Sequence, residues 1–335
     1  MKEPAFWRTD GGRGSGALAR ALLSPLGRVY AWAVARRIRR TEPVDPGAPV
    51  ICVGNITLGG TGKTPVTQTI LRRLEELDCS PAALSRGYGG SEAGPLEVSD
   101  QHTADQVGDE PSLLARNARV WISRDRVEGA HAAVEAGADI IVMDDGHQNP
   151  SLRKTLSIVV IDSVAGWGAN LVFPAGPLRE PVVVGLARAD AVIVMTPDAD
   201  AVPNYARLKL AELEIPVLQA WLEPKEAPPS GRLLAVSGIG RPPKFFDALE
   251  AAGGELTDGI EFADHHPYTQ RDLEHLYDHA RSHDAQLITT EKDWVRLPAE
   301  ARAIIKAWPV EARFANPAAL DALLLDVVDA RGSAR

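Results

Sequence analysis

The stretch that most constrains this chain is a strand, a glycine-rich turn and a helix in direct succession. Residues 49–66 read PVICVGNITLGGTGKTPV, with a short β-branched run at 50–53 ahead of the glycines and helical apolar spacing over residues 65–78. A strand that passes through glycines and Gly-Lys-Thr into a helix is the context of a phosphate-binding loop. The alternative is a tight turn with an exposed lysine, and the specific Gly-Lys-Thr triplet argues against it.

Each residue type in this loop has a predicted task. Glycines let successive backbone N–H groups turn toward a phosphate, and the helix start adds partial positive charge. Lys63 is predicted to reach the β- and γ-phosphates, and the Thr64 hydroxyl to hold Mg²⁺. The predicted nucleotide-binding set is Gly59, Gly60, Thr61, Gly62, Lys63 and Thr64. Thr57 stands where the usual motif begins with glycine.

Length and cysteine content narrow the class of protein. The 335 residues suggest two domains and allow a substantial core. Two cysteines argue against a disulfide framework and fit a reducing compartment. The N-terminal sequence lacks the pattern of a signal peptide, and the apolar stretches fall short of a transmembrane span. We therefore expect a soluble globular protein without disulfides.

Charge is unevenly distributed along the chain. The net charge is -9, yet residues 1–40 carry +7 and the remainder -16. The acidic body would repel a phosphate backbone and no nucleic-acid-binding motif occurs, so we expect no nucleic-acid partner. A basic segment on an acidic body predicts instead that one end of the chain meets an anionic surface.

The basic segment reads as an amphipathic helix over residues 17–40, with Pro25 as a candidate point of interruption. One face carries Leu22, Leu26, Val29, Tyr30 and Ala33, and the segment closes with Arg36, Arg37, Arg39 and Arg40. Aromatic residues and terminal arginines on such a helix are typical of an interfacial membrane anchor. A helix packed on its own domain, with a basic last turn favoured by the helix dipole, has the same pattern. The sequence leaves both interpretations open.

Strand and helix patterns alternate after the phosphate loop. Predicted strands are 82–85, 120–123, 140–143, 156–161 and 191–195, and predicted helices are 109–117 and 125–137. This alternation predicts a parallel sheet with helices on both faces. Residues 163–188 lack periodicity, and a loop of that length is a candidate functional element.

A proline-rich run over residues 223–231 indicates a linker, and a second series of strands and helices follows it. The predicted division is an N-terminal membrane-associating segment at 1–40, a phosphate-loop core at 41–215, a linker at 216–231 and a smaller α/β lobe at 232–335. The predicted fold class is therefore α/β, with a phosphate-loop (Walker A) α/β/α core, a mainly parallel sheet and a smaller C-terminal lobe.

Three acidic residues are candidates for chemistry. Asp144 and Asp145 follow four apolar residues at the end of a predicted strand, which resembles a Walker B element that supports Mg²⁺. Without the upstream phosphate loop, the pair would be read as a helix cap or a turn. Asp109, in Val-Gly-Asp-Glu-Pro, would by itself be read as an N-terminal helix cap.

Two short motifs in the predicted smaller lobe are also candidates for function. Adjacent histidines at 265–266 rarely converge on one metal ion, whereas a loop histidine beside an aspartate is a candidate acid/base element. The sequence TEKD at 290–293 resembles a guanine-recognition motif superficially, but its lysine-to-aspartate spacing does not match. GTP is therefore not supported by this motif.

Several short motifs occur in order along nearly the whole chain. They are GN at 54–55, GGTGKTP at 59–65, SRGYG at 85–89, VGDEP at 107–111, DR at 125–126, DDG at 144–146, Gln148, PAGPLRE at 174–180, DHH at 264–266 and TEKD at 290–293. Together they resemble the tetraacyldisaccharide 4'-kinase family, the lipid A 4'-kinases. The N-terminal segment, with Pro-Leu at 25–26 and trailing arginines, is also similar to that of the family.

That resemblance implies a kinase that depends on ATP and Mg²⁺ and acts on a lipid A precursor. The acceptor would be the 4'-hydroxyl of an acylated glucosamine disaccharide 1-phosphate. The fold implied is a phosphate-loop core joined by a β-ribbon to a smaller lobe. The protein would be cytoplasmic, bound peripherally to the anionic cytoplasmic face of the inner membrane, with no obligate protein partner.

The resemblance also implies roles for individual residues. Asp109 would be the catalytic base, paired with His265, while Lys63 handles phosphate. The implied metal-supporting residues are Thr64, Asp144 and Asp145, and the implied substrate-binding residues are Arg86, Tyr88, Arg126, Gln148, Arg179 and Glu180. Two positions depart from the family pattern, and no role is assigned to them. Asn170 lies in Gly-Ala-Asn where Gly-Asn-Gly is usual, and His147 stands where an apolar residue is usual.

Two other classes of phosphate-loop protein remain as alternatives. Membrane-associated ATPase switches of the deviant-Walker type share Gly-Gly-x-Gly-Lys-Thr, but they need a lysine before the glycine pair, where this chain has Leu58. A phosphate-loop chaperone that hydrolyses a nucleotide to load a partner is the third class. Transfer of labelled phosphate to a lipid, rather than release of free phosphate, distinguishes a kinase from both.

Overall fold

A nine-stranded, mainly parallel sheet forms the larger unit of the computed structural model, which describes residues 4–7 and 16–333. In spatial order its strands are β13 (Val310–Phe314), β8 (Val217–Pro224), β7 (Ala191–Thr196), β6 (Leu156–Asp162), β1 (Val50–Gly54), β5 (Ile140–Asp144), β2 (Pro81–Ser85), β4 (Val120–Ile122) and β3 (Leu96–Glu97). The pairs β13–β8 and β3–β4 at the two edges are antiparallel. The predicted α/β fold with a mainly parallel sheet is confirmed.

Helices cover both faces of this sheet. The helices of the larger unit are α1 (Ala17–Arg40), α2 (Lys63–Glu76), α3 (Ala104–Val107), α4 (Asp109–Leu114), α5 (Arg126–Glu135), α6 (Val182–Leu186) and α11 (Pro317–Ser333), with a short 3-10 helix at Ala5–Trp7. Side chains alternate along a strand, so Ile51 and Val53 join the core under α2, whereas Val50 and Cys52 join the core under α5. Burial on both faces explains why β1 is apolar at nearly every position.

The smaller unit is a four-stranded parallel sheet with its own core. Its strands, in spatial order, are β10 (Glu255–Glu261), β9 (Arg232–Ser237), β11 (Gln286–Thr290) and β12 (Lys306–Trp308), and its helices are α7 (Pro242–Ala251), α8 (Gln270–Ser282), α9 (Glu291–Trp294) and α10 (Ala299–Arg302). Leu234 and Val236 on one face of β9 pack with α8, and Leu233 and Ala235 on the other pack with α7.

The connection between the two units differs from the predicted one. Much of the predicted linker at 216–231 is strand β8, which pairs with β7 on one side and β13 on the other. After the smaller unit, β13 and α11 return to the larger sheet, where Leu320, Leu324 and Val327 join its core. The smaller unit is thus inserted between β8 and β13, and β13 and α11 belong to the larger unit. The proline-rich run at 223–231 favours a linker over strand β8, and the pattern of a strand such as β13 carries no information on which sheet it joins.

Helix α1 spans residues 17–40 without interruption at Pro25. Gly27 on one face lies so close to the loop after β6 that a Cβ there would come within 2.7 Å of the Val172 carbonyl oxygen. Tyr30 packs on Phe173, with ring centroids 5.6 Å apart. Parts of the predicted 1–40 segment, at residues 1–3 and 8–15, lie outside the described residues. Within the described ranges, no helix combines the length and apolar composition needed to cross a membrane.

Candidate active site

The phosphate loop lies between β1 and α2, where the sequence predicts it. Gly59 has φ of +109° and Gly62 has φ of +86°, a backbone region that favours glycine. The Asn55 side-chain amide donates to the Gly59 carbonyl (3.4 Å) and to the Thr61 hydroxyl (3.3 Å), which braces the turn. A Cβ built at Gly59 or Gly60 meets no atom within 4 Å, so the loop faces open space. This shape can admit a phosphate chain at the start of α2.

The long loop after β6 runs beside the phosphate loop. The Leu58 N–H donates to the Pro177 carbonyl (2.7 Å), and the Arg179 N–H donates to the Ile56 carbonyl (2.8 Å). Thr57 forms an isolated bridge with Leu178 and is 6 % exposed. The residue that replaces the usual glycine therefore belongs to this pairing, which brings Arg179 next to the nucleotide-binding turn.

Asp144 is the last residue of β5 and lies beside β1, so its carboxylate faces the phosphate loop. It is 1 % exposed, the Thr67 hydroxyl lies 3.5 Å from its Oδ1, and its Oδ2 has no hydrogen-bond partner among the described residues. Burial and the negative charge of Glu110 raise the pKa of Asp144 to about 7, despite the opposing effect of Lys63. A buried carboxylate with an unpartnered oxygen is a fitting place for a cation.

Asp145 has a different environment. Its Oδ1 lies 3.6 Å from the Lys63 ammonium, and both of its oxygens accept from Arg179 Nη1, at 2.9 and 2.8 Å. Burial alone would raise the pKa of Asp145, but Lys63 and Arg179 outweigh burial and lower it to about 2. The pKa values of the two neighbouring aspartates are therefore shifted in opposite directions. Asp145 is already paired with Lys63 and Arg179.

Two further predicted site residues, Gln148 and Glu180, form a buried polar network with the phosphate loop. The Gln148 amide donates to the Asn55 carbonyl and to Glu180 Oε1, both at 2.9 Å. Glu180, 2 % exposed, also pairs with Arg188 at 2.7 Å. Arg37 of α1 donates to the Gln148 carbonyl at 3.1 Å. The network links α1 to the phosphate loop, so these residues brace the site in the described structure.

The remaining predicted substrate residues lie at the end of β2 and the start of α5. Arg126 is 5 % exposed and donates to the Ser123 carbonyl at 2.6 Å. Burial lowers the pKa of Arg126 to about 10, with Asp144 opposing and Arg86 assisting that change. Arg86 and Tyr88 are exposed in the loop after β2, and a Cβ at Gly108 would come within 2.6 Å of the Tyr88 carbonyl oxygen. This loop therefore abuts the turn that precedes Asp109.

Asp109 begins α4 and lies at the junction of the two units. Its Oδ2 is 2.7 Å from His265 Nδ1 and 2.7 Å from Arg296 Nε, and both partners belong to the smaller unit. Burial alone would raise the pKa of Asp109, but the His265 hydrogen bond and the Arg296 charge outweigh burial and hold it below its usual range. The structure thus brings the predicted base and the predicted histidine together.

Sequence reasoning missed several residues of the site. Arg296 gave no signal because it lies beyond the TEKD motif and no spacing rule links it to Asp109. Glu110 follows Asp109 in the same motif, but only the folded structure shows that its charge raises the pKa of Asp144. His147 is buried between Ser157 Oγ (3.2 Å) and the Gly185 carbonyl (2.9 Å), and burial lowers its pKa to about 4. His147 is thus a neutral packing residue that joins the sheet to α6.

The contrast between Asp144 and Asp145 predicts opposite effects on stability. As pH rises from 3.8 toward 7, Asp144 of the unfolded chain releases a proton that folded Asp144 retains. Asp144 therefore lowers the free energy of unfolding progressively over this range, and the destabilisation reaches its full size above pH 7. Asp145 has a lowered pKa, so its stabilisation is present above pH 3.8 and is lost as pH falls toward 2.

In thermal unfolding at pH 8 without nucleotide or divalent metal, we expect Asp144→Asn to raise Tm by a few degrees. The gain should shrink at pH 5. Asp145→Asn, the matched control, should lower Tm at both pH values because it leaves Lys63 and Arg179 without their anionic partner. A lower Tm for Asp144→Asn at pH 8 would contradict the inference that the buried, charged Asp144 carboxylate destabilises the folded protein.

Comparisons with known proteins identify the family of this chain. The family model described as tetraacyldisaccharide-1-P 4'-kinase matches residues 19–329. A relative named tetraacyldisaccharide 4'-kinase from Maricaulis maris is 63% identical over 332 residues, covering 98% of this chain and 97% of its own. A relative of the same name from Caulobacter vibrioides is 49% identical over 327 residues, covering 96% and 97%.

A solved structure shares the fold. The crystal structure of LpxK from Aquifex aeolicus, in complex with ATP, aligns with a TM-score of 0.73 at 24% identity and covers 92% of this chain and 99% of that chain. The family model and the relatives extend over nearly the whole chain, including the phosphate loop, the Asp109 turn and the His265 loop. The chain therefore belongs to the tetraacyldisaccharide-1-P 4'-kinase family.

Proposed function

We propose that this protein is an ATP-dependent kinase that transfers the γ-phosphate of ATP to the 4'-hydroxyl of a tetraacyldisaccharide 1-phosphate in lipid A synthesis. The observation that carries the proposal is the carboxylate of Asp109, held 2.7 Å from His265 at the junction of the units, in addition to the phosphate loop. A sugar hydroxyl is a weak nucleophile, and a carboxylate that accepts its proton in the transition state favours the transfer.

The proposed reaction divides the work between the two units. The phosphate loop and Lys63 hold the nucleotide and offset charge on the transferring group. Asp109 accepts the proton of the 4'-hydroxyl while the oxygen–phosphorus bond forms. The bond from the γ-phosphorus to the bridging oxygen breaks, and ADP leaves with that electron pair. Because Asp109 and His265 come from different units, closure of the units would assemble the base and exclude water.

Mg²⁺ is part of this proposal. The donor set fits it, because Mg²⁺ is usually bound by one or two carboxylates together with phosphate oxygens and water. We assign Asp144, with its unpartnered Oδ2, and the Thr64 hydroxyl as the residues that would hold the ion. Asp145, already bonded to Lys63 and Arg179, would orient those cations. The ion would supply charge neutralisation on the β- and γ-phosphates.

Among the predicted substrate residues, the structure suggests two kinds of role. Arg86 and Tyr88 are exposed beside the Asp109 turn and are free to meet an acceptor. Arg126, Gln148, Arg179 and Glu180 make the internal bonds described above, so we assign them to support of the phosphate loop and its acidic residues. Their direct contact with substrate stays a prediction.

A transfer assay tests the proposed activity. The protein is incubated with ATP labelled on the γ-phosphate and a tetraacylated glucosamine disaccharide 1-phosphate in detergent micelles. We expect label in the lipid fraction, and none when the acceptor already carries a 4'-phosphate. Release of free phosphate alone, independent of the lipid, would favour the ATPase-switch or chaperone classes and overturn the kinase assignment.

We also propose that α1 associates peripherally with an anionic membrane surface. Its packed face rests on the loop after β6, while an apolar stripe on the other face is left in solvent: Leu18, Leu22, Leu26, Val29 and Trp32 are each 57–75% exposed. Arg36, Arg39 and Arg40 are exposed beside that stripe, and Arg36 lies over the Trp32 ring at 5.6 Å. An exposed apolar stripe with adjacent arginines favours the anchor interpretation of this helix.

Charge reversal tests this surface. Arg36, Arg39 and Arg40 are changed to Glu together, and Arg37 is retained because it bonds Gln148. Each basic residue near an anionic surface contributes about 1 kcal/mol, so binding to anionic vesicles should fall roughly a hundredfold or more. The matched control reverses Lys225, Arg232 and Arg281, which are exposed elsewhere. Equal vesicle co-sedimentation of both variants and the wild type would exclude α1 as the anchor.

A further inference from the structure

The TEKD motif at residues 290–293 is not used by the proposed nucleotide site, yet its Asp293 bonds Arg296, which in turn bonds the residue proposed as base. We propose that Arg296, anchored by Asp293 of this motif, is a positioning residue that fixes the Asp109 carboxylate for proton transfer. This inference rests on the proposed kinase activity, and it assigns a task to a part of the smaller unit outside the phosphate loop.

Arg296 bridges two carboxylates from different units. Its Nε lies 2.7 Å from Asp109 Oδ2, and its Nη1 lies 3.0 Å from Asp293 Oδ1. Nη1 also donates to the Gly238 carbonyl at 3.1 Å. The Arg296 side chain is 6% exposed, so its guanidinium plane is fixed by bonds at both ends. The planar, multiply bonded guanidinium sets the angle as well as the distance of its partner.

Asp293 is built as a rigid anchor. It is completely buried, and its oxygens accept from Tyr268 (3.1 Å), from Thr290 (2.7 Å) and from Arg296. Thr290 also caps α9 by accepting from the Asp293 N–H at 3.1 Å. A buried carboxylate with this many donors holds its charge in one place, and it thereby holds Arg296. Asp293 of the motif thus fixes Arg296, and Arg296 fixes Asp109.

The contacts with His265 and Arg296 leave one oxygen of Asp109 available. Both His265 and Arg296 bond Oδ2, and Oδ1 accepts no hydrogen bond from the described residues. The charged and titratable groups around Asp109 are Arg296 and His265 from the smaller unit and Glu110 from its own helix, with Asp293 behind Arg296 and Asp264 behind His265 at 3.8 Å. Two donors on Oδ2 orient Oδ1 as the atom that would receive the acceptor proton.

A second contact across the same junction provides a matched control. Arg116 lies over the Trp294 ring at 4.5 Å and pairs with Glu291 at 3.6 Å, so it joins the turn after α4 to α9. Arg116 makes no hydrogen bond or ion pair with Asp109 within the described part of the chain. If Arg296 merely held the units together, loss of Arg116 would have a similar effect on turnover.

The experiment measures lipid phosphorylation by Arg296→Gln, Arg296→Lys and Arg116→Gln, each in the wild-type and the Asp109→Asn background. We expect Arg296→Gln to lower kcat about 10- to 100-fold, the usual loss for a misplaced catalytic group, with little change in the KM for ATP. Arg296→Lys should be intermediate, because one ammonium cannot span both carboxylates. Arg116→Gln should stay within about twofold of wild type at equal folded fraction.

The double variants decide whether Arg296 acts through Asp109. In the Asp109→Asn background, Arg296→Gln should cost less than about twofold. The same loss in both backgrounds, or a lysine variant equal to wild type, would overturn the positioning role. An Arg296→Gln enzyme with normal kcat would overturn it as well. Failure of the wild-type protein to phosphorylate the lipid would instead overturn the proposed function, and thermal unfolding separates misfolded variants from both outcomes.

Discussion

Lys63→Ala is expected to reduce lipid phosphorylation by about 10²- to 10³-fold, the scale seen when one preorganised charge-stabilising group is removed. Lys63 is 8% exposed at the first turn of α2, where its ammonium lies 3.6 Å from Asp145. Without the Lys63 ammonium, water or a more distant cation would have to offset the charge of the transferring phosphate. The loss should fall on kcat more than on the KM of the lipid.

The fold should survive this substitution. Asp145 is 31% exposed and keeps its two bonds to Arg179, so removal of Lys63 does not leave this carboxylate without a partner. Lys225→Ala, at an exposed lysine in the turn after β8, is a control that should leave turnover unchanged. Near-normal transfer by a folded Lys63→Ala protein would refute the assignment of this loop to phosphate chemistry.

The first half of the site could be predicted because its chemistry is local in sequence. A strand, glycines and Gly-Lys-Thr at the start of a helix place Lys63 at the carboxyl end of β1. Asp144 ends another strand, and parallel strands end at the same edge of a sheet. The predicted Walker B role of Asp144 beside the phosphate loop therefore needs no knowledge of loop geometry.

The second half could not be predicted from local pattern, since it depends on how two units meet. Asp109 and Arg296 are separated by 187 residues, and no periodicity connects them. The same limitation applies to residues 216–231, which the sequence predicts as a linker: local pattern does not show that residues 217–224 form a strand between β7 and β13 of the larger sheet. The Asp109–His265 pair was available only through resemblance to a family.

Asp109 and His265 are expected to act as one unit in turnover. Asp109→Ala should lower kcat by about 10²- to 10⁴-fold, the range for loss of a general base. His265→Ala should cost less, because Arg296 still holds Asp109 Oδ2 at 2.7 Å when the histidine is lost. The ATP KM should change little in either variant, since neither residue belongs to the phosphate loop.

The His265 variants need a structural control. His265 has φ of +59°, so Ala at this position strains the backbone, whereas Gly does not. Agreement between His265→Ala and His265→Gly would show that the loss comes from the imidazole. His266→Ala is the matched control at the neighbouring position. His266 bonds Asp272 at 3.0 Å and stacks on Phe262, and it forms no hydrogen bond with Asp109 among the described residues. We expect it to alter stability more than turnover.

A double-mutant cycle then measures the coupling between base and histidine. If His265 works through Asp109, the double variant Asp109→Ala/His265→Ala should be hardly slower than Asp109→Ala, because the histidine has nothing left to orient. The measurement is kcat for lipid phosphorylation by all four proteins at saturating ATP and matched folded fraction. Losses that multiply would mean that each residue contributes separately, and His265 would then have to contact the acceptor or the nucleotide by itself.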